Sequence, residues 1–111
     1  PSEFLEALHR AYLVTTDQRP GRLTSSAVVP LLDLYGLLTL LPGQDREYSR
    51  QEFARDVYLL DQSGVSTTKQ LDRIAFHAST GTRGGRMLTV VTQTGAEKKY
   101  YGISFSAAAG Q

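Results

Sequence analysis

The chain contains no cysteine, which removes disulfide frameworks, thiolate nucleophiles and cysteine-based zinc sites from consideration. It has no long apolar run either. The stretch at residues 37–41 is interrupted by Thr39 and stopped by Pro42, far short of the roughly 20 apolar residues that a membrane-spanning helix needs. Histidine is scarce: His9 and His77 stand 68 positions apart with no cysteine to complete a ligand set, so no metal and no other cofactor is expected. The opening Pro-Ser-Glu-Phe has no basic stretch leading into an apolar one. With cysteine also absent, a cytoplasmic location and no membrane partner are the expectation.

The 111 residues, 41% hydrophobic and 21% charged, have the length and composition of one globular domain spanning residues 1–111. A net charge of +1 hides an asymmetry. Residues 1–65 carry six arginines against nine acids, a net −3, whereas residues 66–111 carry six bases against Asp72 and Glu97, a net +4. That excess suits a polyanionic partner or a plain solvated face.

Three helices are expected, at about 2–13, 26–40 and 49–63. In the first, Ser2 is placed to cap, and Phe4, Leu5, Leu8 and Tyr12 recur at helical spacing. The second has Val28, Leu31, Leu32, Leu34, Tyr35 and Leu38 around much of its circumference, with Pro30 tolerated in its first turn. The third has the clearest bounds: Ser49-Arg50-Gln51-Glu52 is a capping box, and Gly64 stands where a helix-ending glycine belongs. Phe53, Val57 and Leu60 form its apolar stripe, with Gln51, Arg55, Tyr58 and Gln62 on the opposite side. After Gly64 the period changes to two. Strands are expected at about 73–78, 87–92 and 100–105, most simply as an antiparallel meander, giving an α+β fold.

Three helices followed by a basic antiparallel sheet resembles the winged-helix family. The residues carrying the likeness are the helix containing Val28-Val29-Pro30-Leu31-Leu32-Asp33-Leu34, the helix ending Leu59-Leu60-Asp61-Gln62-Ser63-Gly64-Val65, and the strand, loop and strand at 73–91. Family members usually have a short strand between the first two helices, for which 13–15 or 22–24 are the candidates. The third strand is an addition. The resemblance implies a non-catalytic domain that binds double-stranded DNA, as in transcription regulation. Its third helix would enter the major groove, and its hairpin loop, the wing, would lie along the backbone. Carried over, Arg50, Gln51, Arg55, Tyr58 and Gln62 are the groove face, Arg83 and Arg86 the wing contacts, and Lys69, Lys98 and Lys99 further basic contacts. Arginine pairs bidentately with guanine and glutamine with adenine, while wing arginines neutralise phosphates whatever the sequence. Glu52, Asp56 and Asp61 on the same helix oppose its approach to a polyanion, so a wing-led contact is expected. The rival expectation is a protein-interaction module or homodimer using Tyr58, Tyr100 and Met87 as contact surface, since winged helices serve that role too.

Catalysis is not expected. The loop Ser79-Thr80-Gly81-Thr82-Arg83-Gly84-Gly85-Arg86 lacks the spacing and lysine of a phosphate-cradling loop and leads into a strand rather than a helix. His77 has Asp72 and Ser79 nearby in sequence, but strand alternation points it opposite Ile74 and Phe76, away from the core. His9 beside Arg10 is no better placed for acid–base chemistry.

Overall fold

A computed structural model describes residues 2–39, 48–78 and 87–107. The first helix, α1 (Ser2–Thr16), buries Leu5, Leu8, His9, Ala11 and Tyr12, the side that the i, i+3, i+4 rule brings together. It runs three residues beyond the expected end. Val14, Thr15 and Thr16 are weak helix formers, but the two threonine hydroxyls donate back to the Ala11 and Tyr12 carbonyls at 2.9 and 2.8 Å. Asp17, with φ of 54°, then turns the chain out of the helix.

The second helix is shorter than the expected 26–40. Pro30 (φ −60°, ψ 136°) is extended and stands outside it, so α2 is Leu31–Leu38. The residue before a proline is itself biased to extended backbone, and Val29 with Pro30 forms a two-residue strand, β1 (Val29–Pro30). The short strand between the first two helices is therefore here and not at 13–15 or 22–24. A proline is admissible because β1 is an edge strand with few ladder bonds to lose. The Leu31 N–H fixes the start of α2 by donating to the Tyr101 carbonyl at 2.9 Å.

Helix α3 (Arg50–Ser63) has the caps its sequence announces. The Glu52 N–H donates to Ser49 Oγ at 3.1 Å and the Ser49 N–H to Glu52 Oε1 at 2.9 Å. Gly64, at φ 79°, closes the helix in the left-handed conformation.

The remaining strands are β2 (Asp72–His77), β3 (Leu88–Val91), β4 (Glu97–Tyr100) and β5 (Gly102–Ala107). The sheet order β1-β5-β2 puts the last strand in the middle, and β3 pairs with β4 in a separate antiparallel hairpin. The expected meander is thus corrected: 87–92 does not pair with 73–78, and the expected strand at 100–105 is broken at Tyr101. The Tyr101 N–H donates to the His77 carbonyl at 2.8 Å while its carbonyl holds α2. Gly102 then passes so close to β1 that a Cβ there would lie 2.5 Å from the Val29 carbonyl oxygen. The alternation of 100–105 runs unbroken through this point, so it carries no sign of the change of sheet.

Register places Ile74 opposite Phe105 and Phe76 opposite Ile103 on one face of the sheet. That face meets the helices: the Phe105 ring lies 5.0 Å from Tyr12 and 4.8 Å from His9, and Phe4 meets Phe53 at 5.8 Å. Leu5, Leu8, Leu31, Leu34, Val57 and Leu60 complete the interior. Among the described residues the result is an α+β arrangement of three helices with antiparallel sheets of three and two strands.

Candidate nucleic-acid interface

Capping and the Phe53, Val57 and Leu60 stripe fix how α3 rotates about its axis. Arg50, Gln51, Arg55 and Gln62 are consequently exposed, and Tyr58 is half-buried at the edge of the core. Leu59, 46% exposed, shares this outer side and was not among the sequence candidates.

The three carboxylates of α3 lie elsewhere. Glu52 is the reciprocal partner of Ser49 in the cap. Asp56 accepts the hydroxyl of Tyr48, whose carbonyl in turn accepts the Tyr35 hydroxyl at 2.6 Å. Asp61 accepts the Tyr100 hydroxyl at 2.6 Å and has Lys98 Nζ at 3.5 Å. Burial, reinforced by the hydrogen-bonded carboxylate, pushes the Tyr48 and Tyr100 phenols well above their ordinary value, so both remain neutral donors. At 100° per residue Asp56 and Asp61 fall on the two flanks of the Gln51–Arg55–Tyr58–Gln62 stripe rather than within it.

The expected basic contacts do not all gather around that stripe. Lys98 pairs across the hairpin with Val90, and Lys99 with Thr89. Paired residues share a face and neighbours alternate, so Lys98 lies on the face of Leu88, Val90 and Tyr100 that packs on α3, and Lys99 on the outer face. Lys69 stands against α1: its backbone N–H donates to Glu6 Oε2 at 2.9 Å, and it borders a cleft with Ser2, Glu3, Glu6 and Arg10. Arg83 and Arg86, with the whole of 79–86, lie outside the described residues. Tyr100 is only 2% exposed, because its ring closes the hairpin onto α3. The expected contact surface of Tyr58, Tyr100 and Met87 is corrected accordingly: Tyr100 belongs to the interior.

The histidines separate from one another and from the expected neighbours. His77 lies on the sheet face opposite Ile74 and Phe76, as alternation requires, with its Nε2 2.9 Å from Ser104 Oγ. Asp72, on the core face of the same strand, turns instead to His9, whose Nε2–H donates to Asp72 Oδ2 at 2.7 Å. His9 is 1% and Asp72 0% exposed. The same carboxylate oxygen accepts the Gly21 N–H at 3.0 Å, and the Asp72 N–H donates to Thr68 Oγ1 at 3.1 Å. One buried side chain thus joins α1, the loop after it and β2. The sequence signal for His9 was its place on the Leu5, Leu8, Tyr12 stripe; nothing local to it names Asp72.

Among the described residues no group of three or more His, Asp or Glu side chains could hold a metal ion, and no helix is long and apolar enough to cross a membrane. No protein-family model, curated protein or solved structure matches the chain.

Proposed function

We propose that the chain is a winged-helix domain that binds duplex DNA without catalysing a reaction on it, with α3 as the reading element. The order α1, β1, α2, α3, β2 and then hairpin and β5 supports the likeness, since a short strand stands between the first two helices. The observation that carries the reading is the division of α3. Its outer stripe is made of arginine and glutamine, and its carboxylates are engaged at the cap and on the flanks. The acidic residues that count against a helix-led contact stand beside the stripe, where they keep their charge.

From Gln51 to Gln62 the stripe is about 16 Å long at 1.5 Å per residue, which matches about five base pairs along a strand. A major groove about 12 Å wide admits such a helix. Arg55 then reads guanine and Gln51 or Gln62 adenine, each good bidentate pair contributing about 1–3 kcal/mol of discrimination. Arg50 and Lys98 neutralise phosphates beside the groove; Arg83 and Arg86 lie in sequence between β2 and β3, strands that belong to different sheets, so they are kept as further phosphate contacts and not as the tip of a hairpin wing.

A mobility-shift series on duplex DNA at low salt tests this. Wild type shifts the duplex, whereas Gln51→Ala/Arg55→Ala loses preference among sequences and Arg83→Ala/Arg86→Ala weakens binding to all of them. No shift by wild type, or undiminished shifts by both variants, would overturn the proposal. One observation favours a protein partner instead: an apolar groove of about 230 Å³ between α1 and α2, lined by Ala7, Arg10, Ala11, Val14, Leu37 and Leu38. Sedimentation of the chain as a strict monomer would count against self-association there.

A further inference from the structure

Asp61 hydrogen-bonds the β3–β4 hairpin to α3. It performs two tasks of different character. Its bond to the Tyr100 hydroxyl is between a neutral phenol and a carboxylate at a buried ring, and it holds the hairpin in place. Its contact with Lys98 is different: the lysine side chain is 47% exposed and the aspartate 25%, so water and salt reach the pair. Lys98 also lies 5.9 Å from the centre of the Tyr100 ring, and Tyr58 stands three positions before Asp61 on α3, one turn away on the helix surface. Tyr58 belongs to the outer stripe of α3. Lys98 is therefore the hairpin cation placed at the seam between hairpin and reading helix, where the backbone of a duplex seated on α3 would pass.

We propose that Asp61 holds Lys98 in reserve and thereby tempers the affinity of the domain: a phosphate must take the ammonium from Asp61, so the pair acts as an autoinhibitory contact for polyanions. This rests on the DNA reading of α3. Exchange is feasible because an exposed pair of this kind is worth at most about fivefold in an equilibrium, and a phosphate supplies a competing anion with release of its own counterions. Tyr100 stays bonded to Asp61 throughout, so the hairpin keeps its position while the lysine changes partner.

The test is a titration of fluorescein-labelled duplex with the full chain over a range of salt concentrations. Four proteins are compared: wild type, Asp61→Asn, Lys98→Met and the double variant. Asparagine keeps an acceptor for the Tyr100 hydroxyl while releasing the lysine. The expected result is about three- to fivefold tighter binding for Asp61→Asn. Lys98→Met should lower the salt slope by about 0.9, and in its background the Asp61→Asn gain should vanish or nearly so. An equal gain in both backgrounds would show that Asp61 acts only through its own charge and would overturn the proposal. Unchanged or weaker binding by folded Asp61→Asn would overturn it as well. If that variant melts early, Tyr100→Phe with and without Lys98→Met decides the matter: loosening the hairpin must leave the lysine-dependent part of the slope in place, and its loss would overturn the proposal. Absence of any duplex binding by wild type removes the DNA reading and this proposal together, an outcome distinct from wild-type binding that ignores Asp61.

Discussion

Removing the carboxylate of Asp72 should be the most damaging single polar substitution in the domain. Asp72 is fully buried and accepts from His9 Nε2 at 2.7 Å and from the Gly21 N–H at 3.0 Å. In Asp72→Ala both donors lose their acceptor inside the protein, where water replaces it poorly. Breaking a buried pair by removing one partner costs about 3–5 kcal/mol, against a total stability of about 5–15 kcal/mol for a domain of this kind. At about 2.1 cal/mol/K of unfolding entropy per residue, 111 residues convert that cost to a fall in Tm of about 13–21 °C. Urea unfolding followed by far-UV circular dichroism reads it directly, with Glu97→Ala on the exposed hairpin edge as a control expected within about 0.5 kcal/mol of wild type. The double substitution His9→Leu/Asp72→Leu should recover part of the loss, because it removes the imidazole together with the carboxylate and leaves only the Gly21 N–H without its acceptor. A cost below about 1 kcal/mol for Asp72→Ala, or a double variant worse than the sum of the singles, would refute the assignment of this pair as the tie between α1 and β2.

Gly102→Ala places a Cβ 2.5 Å from the Val29 carbonyl oxygen and must push β1 off β5, a cost of about 1–3 kcal/mol by the usual penalty for overpacking; an unchanged urea midpoint would contradict the close approach. The raised phenols of Tyr12, Tyr48 and Tyr100 mean that the folded state holds neutral tyrosine at pH values where the unfolded chain ionises it. Their contribution is therefore full below about pH 10 and is lost as pH rises beyond it. The urea midpoint should fall between pH 9.5 and about 11, and Tyr100→Phe should flatten that fall; a parallel pH profile in the variant would argue against burial as the cause.

What could be read in the sequence was local. The capping box of Ser49 and Glu52, the glycine at 64 and the apolar stripe between them each act within a few residues, so α3 and its outer face were legible with their bounds. The start of α2 was not, because Pro30 fits both a first helical turn and an extended edge. The choice is made by backbone bonds to Tyr101 and pairing with Gly102, some 70 positions away. The sheet order escaped for a similar reason: alternation gives the face of a residue and never its neighbour strand, and Tyr100, Tyr101 and Gly102 alternate smoothly while the chain leaves one sheet for the other. For the candidate site, the exposed arginine and glutamine stripe could be placed by helical geometry. The engagement of Asp56 by Tyr48 and of Asp61 by Tyr100 and Lys98 could not, since hydroxyl partners come from separate elements.

The most direct measurement of the central claim is the salt dependence of duplex binding by the wild-type chain. If the proposed phosphate contacts of Arg50, Lys98, Arg83 and Arg86 all form, the slope of log K against log salt should lie near −3.6, at about 0.9 per phosphate. Arg55→Ala should reduce discrimination between duplexes while leaving that slope nearly unchanged, as expected for a residue that reads bases rather than backbone. Binding that is absent at low salt, or a wild-type affinity indifferent to salt, would contradict the account.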